Sequence, residues 1–196
     1  MAVRADVAAD STEQAPTTQL SRLVGAFDAR IEALVAPWRG RPGADRLFYT
    51  ASSLGEFSLV WVALALARGL RGGRANERAA ARAVAGAVAE SLLVNAGLKT
   101  VFRRRRPVEQ VAHPLPFRQP LTSSFPSGHA TAAFCGAMLL AEGDPLGPLY
   151  FLGATVVAAS RVYVRIHHAS DVVGGVAVGL ALGRLGRAIV PLEPRG

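Results

Sequence analysis

The chain is predicted to be all-α, a multi-span transmembrane helical bundle of about five spans preceded by an amphipathic helix. Three observations predict it. Half of the 196 residues are hydrophobic and mean hydropathy is +0.28, yet the formal charge is +8. That pairing is unusual for a soluble domain and ordinary for membrane helices joined by cationic loops. The arginines lie between apolar segments rather than along one polar face, and aromatics make up only 7%, which counts against nucleic-acid binding. The single Cys135 excludes an internal disulfide and a cysteine-rich metal site, and its apolar surroundings predict a buried, inert thiol.

Residues 1–17 are polar and low in bulky apolar side chains, as expected of a disordered tail, and contain no apolar core of a signal peptide. From 18 to 46 the pattern predicts an interfacial helix and a loop. Leu20, Leu23, Val24, Phe27, Ile31, Leu34 and Val35 follow helical spacing along one face. Arg22, Asp28 and Glu32 fall off that stripe, so the helix is too charged to span and either lies on the bilayer or packs on the bundle. Pro37 ends it, and Arg39 to Gly43 reads as a loop.

The membrane domain is expected over 47–190, with 191–196 as a tail. Its spans are predicted at 47–67, 79–98, 127–141, 147–164 and 170–190. The third is short against the ~20 residues a crossing needs. Gly175, Gly179 and Gly183 repeat every fourth residue, a spacing that lets helices approach closely. Glu56 and Glu90 are costly in hydrocarbon and are expected to face the bundle interior. There they serve as internally satisfied acids rather than as a proton relay or substrate contact.

Three short motifs occur in order along the chain: Lys99-x6-Arg106-Pro107, Pro126-Ser127-Gly128-His129, and Ser160-Arg161-x5-His167-x3-Asp171. Lys99 is the only lysine among 22 basic residues. Counting crossings puts all three motifs at one membrane face. Arg106 and Arg161 offer forks that match two phosphate oxygens each, and Lys99 adds a point charge. Ser127 and Gly128 open the third helix, whose N-terminal N–H groups seat an anion. Asp171, four residues after His167, is suited to hold one ring nitrogen protonated and leave the other to attack phosphorus. His129 is suited to protonate a leaving alcohol and then activate water. No cluster of acids is available for a metal, and no cofactor is expected.

Taken singly, each motif has a plainer reading: a helix-capping histidine, an ordinary Pro-Ser-Gly turn, a cationic cluster at a membrane interface. Arg103, Arg104 and Arg105 are assigned to that interface. His168, three residues from Asp171, rivals His167 on spacing alone.

With all three motifs matched, the chain resembles the type 2 phosphatidate phosphatase superfamily, which includes bacterial acid phosphatases and vanadium haloperoxidases. The resemblance implies metal-independent phosphate hydrolysis through a phosphohistidine. His167 would be the nucleophile, Asp171 its orienting partner and His129 the acid. Lys99, Arg106, Ser127, Gly128 and Arg161 would form the phosphate cradle. Membrane members commonly have six spans, whereas this chain replaces the first with the amphipathic helix.

A site at a membrane face, with the proline-rich Pro107–Pro126 linker as a stiff, partly apolar lip, suits a lipid phosphate whose tail stays in the bilayer. Candidates are phosphatidate, phosphatidylglycerophosphate, polyprenyl diphosphates and polyprenyl-phosphosugar phosphates such as decaprenylphosphoryl-ribose 5-phosphate. Arginine counts on the two faces nearly tie. The polar N-terminal tail favours a cytoplasm-facing site in a multi-pass protein of the cell membrane. The other classes weighed are a vanadium-dependent haloperoxidase, whose relatives are larger and soluble, and a catalytically silent lipid-binding scaffold, which would not need His129, His167 and Asp171 together.

Overall fold

The computed structural model describes residues 18–55, 58–107 and 122–192. The N-terminal tail, Glu56, most of the proline-rich lip and the last four residues lie outside them, as does the side chain of Asn95. All regular structure among the described residues is helical.

Helix α1 (Gln19–Val35) is capped by Thr18, whose hydroxyl oxygen accepts from the Ser21 N–H at 3.2 Å. A 3-10 turn at Ala36–Trp38 ends it around Pro37. Its inward face is not the apolar stripe. Asp28 is its buried residue, and Leu20, Leu23, Phe27 and Leu34 are exposed. Ile31 and Val35 do pack on the bundle, against Ala158, Val162, Ala169 and Val172. The helix is thus rotated toward its polar edge, because Asp28 finds hydrogen-bond donors there.

The first expected span is broken. Helix α2 (Pro42–Leu54) starts inside the expected loop, and α3 (Leu59–Gly69) leaves it at 73°. The bend comes after Gly55, where a Cβ would lie 2.9 Å from both His129 Cδ2 and Val157 Cγ1. Close backbone approach of this kind needs glycine. Helix α4 (Arg74–Leu92) runs through a π-helical segment (Leu93–Leu98) into the single turn α5 (Lys99–Val101). Glu90 is buried, as expected of an interior acid. Helices α6 (Gly128–Ala141), α7 (Gly147–Tyr163) and α8 (Ala169–Ile189) match the last three expected spans within a residue or so.

By length and composition, Arg74–Val101 and α8 can each cross a membrane, and α2 with α3 adds a third crossing if counted as one bent span. The 14 residues of α6 reach about 21 Å, short of a ~30 Å hydrocarbon core. The shortness is tolerable because α6 is the central helix, packed on α3, α4, α7 and α8. Its last carbonyls end beneath the bundle surface, where an orphaned C=O is costly. Three arginines donate to them: Arg68 to Leu140 O (2.5 Å) and Glu142 O (2.8 Å), Arg82 to Leu139 O (2.9 Å), and Arg187 to Met138 O. Asp144 holds Arg68 and Arg71 in place, and it accepts from Tyr150 and from the Leu146 N–H as well.

The glycine repeat of α8 packs on α6, as its spacing predicts. A Cβ at Gly175 would lie 2.6 Å from Ser127 O, one at Gly179 2.4 Å from Thr131 O, and one at Gly183 2.6 Å from Met138 Cβ. Cys135 is buried between them. This contact sets the N-terminus of α6 beside the N-terminus of α8.

Candidate active site

The N-terminal end of α6 collects the three motifs. The first arrives from α4. A π-helical segment carries one extra residue per turn and re-aims the chain beyond it, and here it delivers Lys99. The Lys99 Nζ sits 3.2 Å from the place a Cβ would occupy on Gly128, so the missing side chain at Gly128 leaves room for the ammonium. After α5 the chain runs extended, and the two ends of the proline-rich lip are tied together. The Ser124 N–H donates to Arg104 O (2.9 Å), and the Arg104 N–H donates to Ser123 Oγ (3.1 Å).

Arg106 is braced by the backbone. Its guanidinium donates to Thr122 O (3.1 Å), Ser123 O (3.3 Å) and Ile166 O (2.8 Å), and Nη1 lies 3.2 Å from His167 Nε2.

The second motif caps α6. Ser127 is fully buried, and its N–H donates to Asp171 O at 3.0 Å. Among the described residues, neither Ser127 Oγ nor His129 Nε2 finds a hydrogen-bond partner, although both are buried. Unmet polar atoms at a buried helix N-terminus are costly, and an anion seated there would satisfy them.

The third motif spans the turn from α7 to α8. Arg161 is 2% exposed, and its Nη1 donates to Ser52 O at 3.3 Å and to Ser52 Oγ. The turn passes through Arg165 at φ 57. The N–H groups of Ile166 and His167 both donate back to Arg161 O, at 3.3 and 3.2 Å, so the arginine and the histidine are held together by backbone.

His167 is 3% exposed, with Nδ1 3.8 Å from Asp171 Oδ2. Burial pushes its pKa down to about 4, with Arg106 and Arg161 adding to the fall and Asp171 opposing it. The imidazole is therefore neutral at pH 7, the form in which a ring nitrogen carries a lone pair. His168, by contrast, is half-exposed and occupies the N-cap of α8, its N–H donating to Asp171 Oδ2 at 2.8 Å.

Asp171 is fully buried and takes two further donors: Ser124 Oγ, and Arg104 at 2.6 Å. Arg104 is thus not an interface charge, contrary to the sequence expectation. It also donates to Ser170 Oγ (2.6 Å) and to Asp28 (2.7 Å). Arg103 and Arg105 are exposed, in keeping with an interfacial placement. Sequence reasoning missed Ser52, Gly55, Ser124 and Asp28. None lies in a motif, and each reaches the site only through chain folding. Among the described residues no group of three His, Cys, Asp or Glu side chains is arranged to hold a metal ion.

The ensemble is a cationic, largely buried cluster beside a neutral imidazole, suited to a phosphate group. Residues 80–194 match the model of the PAP2 superfamily. The chain belongs to that superfamily. It is 36% identical over 151 residues to decaprenylphosphoryl-5-phosphoribose phosphatase of Mycolicibacterium smegmatis, covering 76% of this chain and 80% of that one. Its fold is similar to the transmembrane PAP2-type phosphatidylglycerolphosphate phosphatase of Bacillus subtilis (TM-score 0.62, 22% identity, 85% and 86% of the two chains). It is similar also to LpxE of Aquifex aeolicus (TM-score 0.66, 27% identity, 82% and 94%). The protein is a transmembrane helical bundle and a lipid phosphatase.

Proposed function

We propose that this enzyme removes the terminal phosphate from a polyprenyl-phosphosugar lipid of the decaprenylphosphoryl-ribose 5-phosphate kind, through a phosphohistidine on His167. The observation that carries the substrate is the 36% identity to a phosphatase of that name over four-fifths of its length. In this reading Lys99, Arg106, Arg161, Ser127 and the N–H groups at Gly128 hold the phosphate oxygens. His167 Nε2 attacks phosphorus as Asp171 steadies Nδ1–H. The P–N bond forms as the P–O bond to the sugar breaks, and His129 gives its proton to the departing oxygen. Water then attacks the phosphohistidine, losing a proton to His129 and releasing inorganic phosphate and free His167. In this reading α1 and the turn that follows it, ahead of α2, form the interfacial element in front of the phosphatase domain.

The same reading puts the site on the cytoplasmic side of the plasma membrane. Of the arginines at the far end, Arg68, Arg82 and Arg187 donate to backbone carbonyls, and Arg71 is paired with Asp144. Arg41 at the site side likewise donates to Pro37 O (3.1 Å), so the arginines left at the two ends stay nearly even and the labelling experiment below decides the side.

The test is phosphate release by the purified enzyme from a prenylphosphoryl-ribose 5-phosphate, phosphatidate, phosphatidylglycerophosphate and a polyprenyl diphosphate. The highest kcat/KM is expected on the phosphosugar lipid, and a tenfold preference for any other would overturn the substrate assignment. Labelling of Arg103→Cys by a membrane-impermeant maleimide, in intact cells against opened vesicles, checks the orientation.

A further inference from the structure

Asp28 is the buried residue of a helix that otherwise turns charge and exposed leucines outward, and its partners are not on α1. Its Oδ1 accepts from the Ser170 N–H (2.8 Å), and its Oδ2 accepts from Ser170 Oγ (2.8 Å) and Arg104 Nη2 (2.7 Å). Arg104 Nη1 continues to Asp171 Oδ1 at 2.6 Å. One guanidinium therefore bridges two carboxylates, one from α1 and one beside His167. From this geometry we infer that Asp28 and Arg104 are positioning residues for the reaction, and that docking of α1 completes the active site by fixing Asp171 against His167. This rests on the assignment of His167 as nucleophile and Asp171 as its partner.

The charge balance explains why both are needed. Arg104 alone would neutralise Asp171 and weaken the electrostatic pull it exerts on His167 Nδ1, 3.8 Å away. Asp28 answers that charge, so the three groups together keep one net negative charge at the imidazole. Arg104 without Asp28 over-neutralises Asp171, and Asp28 without Arg104 leaves two carboxylates facing across Ser170. Among the described residues the other charged and titratable groups around His167 are Lys99 on α5, Arg106 on the extended segment, Arg161 on α7, His129 on α6 and His168 at the N-cap of α8. These approach the ring from elements other than α1, so single substitutions in the bridge alter one charge at a time.

The experiment measures kcat and KM across pH on farnesylphosphoryl-ribose 5-phosphate in detergent, for the full chain and its variants. Asp28→Asn and Arg104→Gln are each expected to lower kcat at least tenfold with KM changed less than threefold. The acid limb of kcat/KM should move in opposite directions: down in pH for Asp28→Asn, which removes a negative charge near His167, and up for Arg104→Gln, which removes a positive one. The double variant should be no worse than the poorer single, since the two act through one bridge. Glu32→Gln is the folding control. Glu32 also docks α1, through Arg39 (2.6 Å) and Arg165 (3.1 Å), but is not part of the bridge, so its variant should lower thermal stability without moving the acid limb. Equal limb shifts in all three variants, or unchanged kcat in Asp28→Asn and Arg104→Gln, would overturn the inference. Full activity in His167→Ala would instead sink the nucleophile assignment beneath it.

Discussion

The two ends of α6 are built from the same side chain and do opposite things. At the C-terminal end, Arg68, Arg82 and Arg187 donate to the carbonyls of Met138, Leu139, Leu140 and Glu142. Carboxylates from Asp144 and Glu142 pair with the same groups. At the N-terminal end, Lys99, Arg106 and Arg161 converge where Ser127 Oγ and His129 Nε2 find no hydrogen-bond partner among the described residues. A helix C-terminus offers oxygens to a cation and its N-terminus offers N–H groups to an anion. Arginines at the first end meet carboxylates as well as carbonyls, whereas Arg106 and Arg161, although braced by carbonyls of Thr122, Ser123, Ile166 and Ser52, stand beside His129 and His167 and add to a positive potential that an incoming anion can meet. Counting arginines does not separate the two roles. The company each one keeps does: carboxylates at the C-terminal end, and two histidines at the N-terminal end.

The largest break in this comparison comes from His167→Ala at the N-terminal end. It should reduce turnover by roughly 10⁴-fold or more, as loss of a nucleophile does, with the thermal transition in detergent little changed. His168→Ala, at the N-cap, should stay within severalfold. Phosphate release measured on both variants decides the register of the third motif, and the reverse outcome would reassign it.

Next in size are the cradle cations. Arg106→Lys and Lys99→Arg trade a fork for a point charge and the reverse. Losing one charge-assisted contact of ~1.5–3 kcal/mol should slow turnover roughly 10- to 150-fold. Arg103→Gln and Arg105→Gln sit on the same stretch but are exposed, and severalfold is the most either should show, mainly on anionic vesicles. A drop as deep as that of Arg106→Lys in detergent would extend the cradle to them.

The far end sharpens the contrast. Arg68→Gln removes donors to two carbonyls and a partner of buried Asp144. It should destabilise the protein by about 2–4 kcal/mol while leaving kcat of the folded fraction near that of the parent. Thermal unfolding and active-site titration on one sample separate the two quantities, and a kcat loss without a stability loss would contradict the division of labour.

A smaller effect is expected from pH. Burial holds the pKa of His167 down to about 4, from about 6.5 for an exposed imidazole. The imidazole therefore stays neutral as pH falls through 6.5, and kcat/KM should begin to fail only toward pH 4. An acid limb near 6.5 would mean that the ring is far better hydrated than its burial implies. The smallest effect is chelation. EDTA should leave the rate unchanged and vanadate should inhibit it, because in the proposed mechanism the phosphate charge is met by Lys99, Arg106, Arg161 and a helix N-terminus. Loss on chelation with rescue by Mg²⁺ would contradict this.

The helix spans were legible because apolar periodicity and arginine-rich breaks are local signals, and α6, α7 and α8 begin and end within a residue or so of their expected limits. The glycine repeat of α8 was legible for the same reason. The rotation of α1 was not. Its apolar stripe argued for Leu20, Leu23 and Phe27 inward, and Asp28 turned inward instead because its donors lie 142 residues away on Ser170 and 76 away on Arg104. Arg104 itself looked identical to its neighbours in a run of four arginines. Only the extended backbone after α5, tied to Ser123 and Ser124, aims it alone at Asp171.

By itself the sequence determined the all-helical membrane architecture, the family, and the motif residues that gather at one end of α6. Those come from hydropathy, spacing and motif identity along neighbouring stretches of chain. Tertiary structure alone decided which arginines meet carboxylates at the C-terminal end of α6 and which gather beside its two histidines, that Ser52 holds Arg161, that Gly55 lets α2 close over His129, and that α1 reaches the site through Asp28. Hydrogen-bond partners are chosen by proximity in space after the helices pack, and a side chain's type records what it can donate but not what it will find.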